Sequence, residues 1–229
     1  MKAYREIVLS LGGSLIHPNG VDVKYLRLFR TWIQKSVRSG FRFIIVCGGG
    51  ALARSNVAAA RSITDVTADD ADQIGIRSTE VNAEIVRSIL RPLAGRHIIT
   101  SNAGLRRCHD KVVVATGSAP GHSTDDDAVQ YAIARNCSIV LNLTNVDGVY
   151  DADPRKVKNA RRYDFLMWDD YLRIIGKRFS SGMHAPFDPV ASRRASRHGT
   201  LVAVLDGKDF PNLSRAIRGE QYRGTLLHP

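Results

Sequence analysis

The sequence predicts an α/β fold built on a mostly parallel, helix-covered sheet, and three observations carry this. Short apolar runs of strand length alternate with stretches whose apolar residues recur at helical spacing. Several of the strand-like runs end in glycine-rich or hydroxyl-rich turns. The chain, at 229 residues, is long enough to bury one generous core. Strands separated by helical segments imply right-handed crossovers, which cover a parallel sheet with helices.

The elements follow in order. Glu6 to Leu11 reads as a buried strand closed by Gly12-Gly13. Tyr25, Leu26, Phe29, Trp32, Ile33 and Val37 mark a helix that Gly40 stops, and Phe29 and Trp32 are packing residues of its buried face. Phe41 to Cys47 is a second strand, ended by Gly48-Gly49-Gly50. An alanine-rich helix covers Ala51 to Arg61, and a longer one runs from about Asp70 to Leu90, with Pro92 just beyond it. The pattern continues through strands at Arg96 to Thr100 and Lys111 to Ala115, a helix from about Thr124 to Arg135, and a strand from Ser138 to Leu143. After Pro154 come a short helix at Trp168 to Ile175, a helix from Pro189 to Arg197, the strand Thr200 to Leu205 and the helix Phe210 to Ile217. No internal repeat, low-complexity tract or linker interrupts this, so residues 1–229 read as one domain.

Composition excludes several classes. With 44% hydrophobic and 24% charged residues, disorder and collagen-like repeats are out. No apolar run approaches the ~18–20 residues of a membrane helix. The start, Met1-Lys2-Ala3-Tyr4-Arg5-Glu6, has no secretory h-region, and Cys47, Cys108 and Cys137 are scattered without CxxC spacing. Together these predict a cytoplasmic protein whose cysteines are small buried hydrophobes. The net charge of +11 suits anionic partners, either nucleic acid or phosphorylated metabolites. The basic residues are spread out and aromatics make up only 7%. A nucleic-acid binder concentrates both, so no nucleic-acid or membrane partner is expected.

The strand-end turns carry the chemistry. Glycine lets backbone N–H groups approach a ligand closely, and a helix starting after Gly50 adds its positive end, which suits phosphate. Tight turns need glycine in any case, but two such turns, one a triplet, tilt the reading toward phosphate. No GxxxxGK[ST] and no strand-following GxGxxG is present, so P-loop and dinucleotide sites are unsupported. Two further donor-rich loops, 117–125 and 144–154, also follow strands.

In this order the segments resemble the amino-acid kinase family, and within it the archaeal-type uridylate (UMP) kinases. The matching motifs are the early GGS, GGG followed by Leu52-Ala53-Arg54, Asp72-Gln73-Ile74-Gly75-Ile76, PGHST-D, TNVDGVYDADPRK, Phe187-Asp188-Pro189-Val190-Ala191 and Gly224-Thr225-Leu226. The resemblance covers essentially the whole chain. It implies a three-layer αβα sandwich, with an acceptor part at roughly 1–135 and an ATP part at roughly 136–229. It implies transfer of the ATP γ-phosphoryl to UMP with Mg²⁺, by a homo-oligomer of hexamer type, for which the helix Lys24 to Ser39 offers an apolar contact face. By this resemblance ATP is held by Gly13, Ser14, Gly50, Arg54, Thr144, Asn145, Tyr150 and Asp153. UMP is held by Gly49, Asp72 (on the ribose hydroxyls), Ser118, Ala119, Pro120, Gly121, His122, Ser123 and Thr124. Gly13, Ser14, Arg54 and Asp188 form the catalytic set, with Asp188 organising the basic groups and metal around the phosphoryl. Other readings stand beside this one: an isopentenyl phosphate kinase of the same family, which the polar loop 118–124 disfavours, and a catalytically silent nucleotide-binding regulator.

One departure stands out. Many family members carry a lysine on the first strand where this chain has Ser10, so another cation must face the phosphoryl; Arg54 is the first candidate, Lys177 or Arg178 the second. Asp125-Asp126-Asp127 is read as first-turn acids behind a Ser123 or Thr124 cap rather than a metal cluster, and Asp126 and Asp127 receive no role. His122 is either a phosphate donor or a loop residue whose backbone matters more than its ring; His184 is a loop residue near the site.

Overall fold

In the computed structural model, Ile7, Leu9 and Leu11 of the first strand join one apolar cluster while Val8 joins another, as the two-residue period of a strand dictates. The structure describes residues 5–117, 121–152, 154, 156–175 and 186–229. In chain order the elements are β1 (Glu6–Leu11), α1 (Gly13–Ile16), α2 (Val23–Arg38), β2 (Arg42–Cys47), α3 (Gly50–Arg61), α4 (Ala68–Ile89), α5 (Asn102–Arg107), β3 (Val112–Ala115) and α6 (Thr124–Ala134). They continue with β4 (Ile139–Thr144), β5 (Val149–Tyr150), β6 (Arg162–Tyr163), β7 (Phe165–Met167), α7 (Trp168–Ile175), α8 (Pro189–His198), β8 (Leu201–Asp206), α9 (Phe210–Ile217) and β9 (Thr225–His228).

The central sheet has seven strands in the order β3-β2-β1-β4-β8-β9-β7. The five from β3 to β8 run parallel; β9 turns antiparallel to β8, and β7 pairs parallel with β9. A separate antiparallel pair joins β5 to β6. One face of the sheet packs on α1, α2, α4 and α9, the other on α5, α6, α7 and α8. This is the three-layer αβα sandwich with a mostly parallel sheet. On the first face Tyr25, Phe29, Trp32, Phe43 and Phe210 form a chain of ring contacts. The Trp32 indole donates to Ser214 Oγ at 3.0 Å, satisfying its polar edge and tying α2 to α9.

Several sequence expectations are corrected. Arg96 to Thr100 is no strand. The chain touches β3 only through single bridges at Ala94 and Ile99, with a bend at Arg96 and His97 between them. The short elements α5, β5, β6 and β7 were not anticipated. The apolar face of α2 is spent on the core, leaving only Val23 and Leu28 substantially exposed on that helix. It therefore supplies little of the contact surface expected of it. By contrast α3 buries none of its residues and lies against α4. Cys47 and Cys137 are buried, whereas Cys108 is half-exposed and donates to Asp110 Oδ2 at 3.1 Å.

Candidate active site

Because β3, β2, β1, β4 and β8 share one direction, the loops that follow them line one edge of the sheet in a fixed sequence. That sequence is the segment before α6, then 48–50, 12–14, 145–148 and 207–209. The carboxyl edge of a parallel sheet is where ligands collect in this class of fold.

The two glycine turns meet at the centre of the row. A Cβ on Gly13 would lie 2.3 Å from Gly48 O, and one on Gly50 would lie 2.3 Å from both Gly13 C and Ser14 N. Gly50 also sits at φ +59°, the left-handed region that L side chains resist. Backbone touches backbone here, and any side chain would separate the turns. The Asn82 amide, fully buried on α4, donates to Gly48 O at 2.8 Å and holds the second turn down. No side chain caps the N-terminus of α3, whose cap residue is Gly49, so its first N–H groups stay available to an anion. Arg54, one turn along α3, is exposed and donates to Ser14 Oγ at 3.3 Å, so the predicted cation and hydroxyl are neighbours.

At one end of the row, three consecutive residues are each held by an acid from a different helix region. Gly121 N donates to Asp72 Oδ2 of α4 at 2.8 Å. His122 Nδ1 lies 2.9 Å from Asp126 Oδ2 of α6. Ser123 Oγ donates to Asp188 Oδ2 at the start of α8. Ser123 also caps α6 as expected, accepting from Asp126 N at 3.1 Å. The acids after it stand in the first turn of α6 as read, and Asp126 and Asp127 are in addition buried, with Asp126 bound by Arg194.

Asp188 is the N-cap of α8, its Oδ1 accepting from Val190 N at 2.6 Å and Ala191 N at 3.0 Å. The segment before it is fixed by Tyr171 of α7, whose hydroxyl donates to Phe187 O at 2.6 Å and accepts from Phe187 N at 2.8 Å. Asn142 of β4 donates to Pro186 O. Both Asp188 oxygens are thus engaged by its own helix and by Ser123. Burial raises the Asp188 carboxyl above its ordinary range, against the opposing hydrogen bonds from Ser123, Ala191 and Val190. Next to it, Asp125 accepts from Ser10 Oγ at 2.8 Å and from Asp188 N at 3.4 Å. Burial first, and the Asp188 charge second, push the Asp125 carboxyl up to about 7.

At the other end of the row lies a cleft of about 590 Å³ lined by Asn145, Asp147, Tyr150, Pro154, Asp209 and Arg223, among others. Tyr150 Oη donates to Asp147 Oδ1 at 2.7 Å and Arg223 Nε donates to Asp147 Oδ2 at 2.7 Å. Burial alone would raise Asp147; the Tyr150 hydroxyl and Arg223 outweigh it and hold the carboxyl below its usual range. Thr144 ends β4, where its carbonyl accepts from Gly207 N at 2.8 Å. Thr225 Oγ1 accepts from Val149 N at 2.8 Å and donates to Tyr163 O, so β9 fixes the β5–β6 pair that frames the cleft.

Of the predicted residues, Gly13, Ser14, Gly49, Gly50 and Arg54 converge at the centre, and Asp72, Gly121, His122, Ser123, Thr124 and Asp188 at one end. Asn145 and Tyr150 line the cleft at the other. Ser118, Ala119, Pro120, Asp153, Lys177, Arg178 and His184 lie outside the described residues. Sequence reasoning missed Arg223, which stands in a loop without a motif. It also missed the Asp126–Arg194 pair, for which a run of three acids ahead of a basic helix was the only signal. Among the described residues, no group of three or more His, Cys, Asp or Glu converges as a metal site, and no helix is long and apolar enough to cross a membrane.

The fold and this row of loops belong to a phosphotransferase class: the chain is a member of the amino acid kinase family, whose model matches residues 5–206. It is similar to the uridylate kinase of Methanocorpusculum labreanum, 31% identical over 97% of this chain and 95% of that one. It is likewise similar to the uridylate kinase of Thermoplasma volcanium, 34% identical over 94% of each. Among solved structures, the uridylate kinase of Archaeoglobus fulgidus superposes with a TM-score of 0.83 at 33% identity, covering 99% of this chain and all of that one.

Proposed function

We propose that the chain is a UMP kinase, transferring the γ-phosphoryl of ATP to UMP to give UDP and ADP. The observation that carries this reading is the row of loops. A cleft at one end and a hydroxyl- and amide-bearing loop at the other flank two glycine turns in backbone contact, the layout that two phosphorylated ligands set end to end would need. Near-full-length similarity to uridylate kinases chooses the acceptor.

In this reading residues 136–229 form the donor part, with Asn145, Tyr150, Thr144 and Asp153 on ATP. Residues 1–135 form the acceptor part, with Gly49, Asp72 and 118–124 on UMP. Asp72 keeps one oxygen for the ribose, since the other holds Gly121 N. Gly13, Ser14, Gly50 and Arg54 face the phosphates between them. Mg²⁺ arrives with ATP as part of the donor substrate and screens its charge. The UMP phosphate is already an anion, so the chain need not supply a strong base. Its work is alignment and charge stabilisation by the free N–H groups of α3 and by Arg54. Asp188 acts through Ser123 and the first turn of α8, fixing the acceptor loop against the phosphoryl. A cytoplasmic homohexamer fits the resemblance, and a solution mass six times that of the chain is its test.

A coupled ADP-release assay with ATP, Mg²⁺ and a panel of UMP, CMP, AMP and isopentenyl phosphate tests the function. Turnover confined to UMP is expected. Turnover on isopentenyl phosphate would overturn the acceptor, and silence across the panel with ATP still bound would make the chain a nucleotide-binding regulator.

A further inference from the structure

Asp126 is 0% exposed, yet its carboxylate is engaged by three side chains. Its Oδ1 accepts from Arg194 Nε at 2.6 Å, and its Oδ2 from Arg194 Nη2 at 3.2 Å and Gln130 Nε2 at 2.9 Å. The third partner of Oδ2 is His122 Nδ1, at 2.9 Å. Burial works to raise this carboxyl, and the Arg194 and His122 bonds with the Arg194 charge outweigh it, leaving it below the ordinary range. Arg194 is 34% exposed, but its partner is fully buried, and a buried carboxylate is a poor way merely to join two helices, because apolar side chains of similar volume are usually as stabilising. What the carboxylate adds is direction. An ionised acceptor at Nδ1 requires the proton there and fixes the plane of the ring. The ring is 38% exposed, and among the described residues Nε2 has no partner. Gly121 and Ser123, on either side, are pinned by Asp72 and Asp188, so backbone and ring of this loop are set independently.

We propose that Asp126 and Arg194 are positioning residues for the acceptor nucleotide: the buried Asp126 carboxylate, held by Arg194, fixes the His122 ring so that its Nε2 edge meets the nucleoside monophosphate. Neither touches the ligand; both act through His122, from two helices that the acceptor loop and Asp188 begin. This rests on the UMP reading of the loop 121–124, and it takes the ring of His122, not its backbone alone, as the functional part.

The test uses full-length protein and steady-state kinetics with UMP and ATP varied separately. H122A leaves the Asp126–Arg194 pair in place and is expected to raise the UMP KM about tenfold, the scale of one hydrogen bond to a charged partner. The ATP KM should move by less than about twofold, since binding lost on one side only is a one-ligand effect. D126L/R194M replaces the pair by apolar side chains. It is expected to keep the melting temperature while raising the UMP KM as H122A does. Adding H122A to it is expected to cost nothing more, because residues acting through one another are not additive. An unchanged UMP KM in H122A or in folded D126L/R194M would overturn the proposal. So would a triple variant whose loss is the product of the two, or an ATP KM that rises in step. If D126L/R194M does not fold, calorimetric titration of H122A with UMP decides alone, and unaltered affinity sinks the idea. Wild-type protein that fails to turn over UMP would instead bring down the reading beneath it.

Discussion

The Ser10 hydroxyl donates to Asp125 Oδ1 at 2.8 Å, linking the end of β1 to the first turn of α6 at the place where a first-strand lysine is missing. A short neutral donor there leaves Asp125 next to Asp188 with no cation between them among the described residues, and the Asp125 carboxyl sits at about 7.

That position makes a signed prediction. The folded value lies above the roughly 3.9 of an unfolded aspartate, so ionising Asp125 destabilises the fold. The cost is absent below about pH 4, grows between about pH 4 and 7, and is complete above. D125N, which keeps an acceptor for Ser10, should melt above wild type at pH 8, by about 2–4 °C for each kcal/mol recovered. The gap should close as the pH falls to about 4. Parallel melting points at every pH would show that Asp125 does not titrate this way.

Gly50→Ala should be the most damaging small change in the centre of the row. The methyl would meet Gly13 and Ser14 backbone at 2.3 Å, at a φ of +59°. Strain of this kind costs about 1–3 kcal/mol. Thermal denaturation should register that loss, and turnover should fall with it as the turns part. A variant with normal melting and normal turnover would mean the turns are not held in contact.

Arg54→Ala should lower turnover by well over about tenfold while the fold survives, the scale on which a charge stabiliser is felt. Arg54 is exposed and its one side-chain bond among the described residues, to Ser14, is long, so little stability depends on it. Near-normal kcat in the purified variant would return the search for the phosphoryl cation to the segment containing Lys177 and Arg178.

Asp188 separates structure from catalysis through two substitutions. Asp188→Ala removes the cap of α8 and should cost about 0.5–2 kcal/mol, whereas Asp188→Asn keeps a capping oxygen and most of the stability. Both should lose turnover. Asp188→Asn with full turnover would reduce the residue to a helix cap.

Arg223→Met should raise the ATP KM about fivefold, the equivalent of ~1 kcal/mol for a lost hydrogen bond, with the UMP KM steady. Arg223 braces Asp147, which in turn receives Tyr150 Oη. Separate saturation curves for the two nucleotides check this, and a rise confined to UMP would contradict the division of the row.

Much of this architecture was legible because β1, β2, β4 and β8 are apolar runs with contrasting ends. The glycine turns, too, declare themselves where backbone has to touch backbone. β7 was not legible, since Phe165 and Met167 are exposed and only Leu166 is buried, leaving three residues without contrast. Arg96 to Thr100 misled in the opposite sense: Ile98 and Ile99 look strand-like, but the bend at Arg96 and His97 lifts the chain off β3 between its two bridges. Asp126 is the first-turn acid it was read as, but its burial was not legible, because a buried acid and an exposed one are spelled alike. The difference lies in Arg194, sixty-eight positions along the chain, and a local reading does not reach it.

β9 follows every other strand, yet it lies between β8 and β7 and, among the described residues, supplies the only sheet pairing β7 has. During synthesis, then, β7 waits without a neighbour while about sixty residues are added behind it. The parallel ladders of β3, β2, β1, β4 and β8 are made among those five strands and need no part of β9. The β5–β6 pair gains its tie to the sheet last, when Thr225 reaches both Val149 and Tyr163. A nascent chain stalled before that strand would hold both glycine turns and lack the tie that frames the cleft.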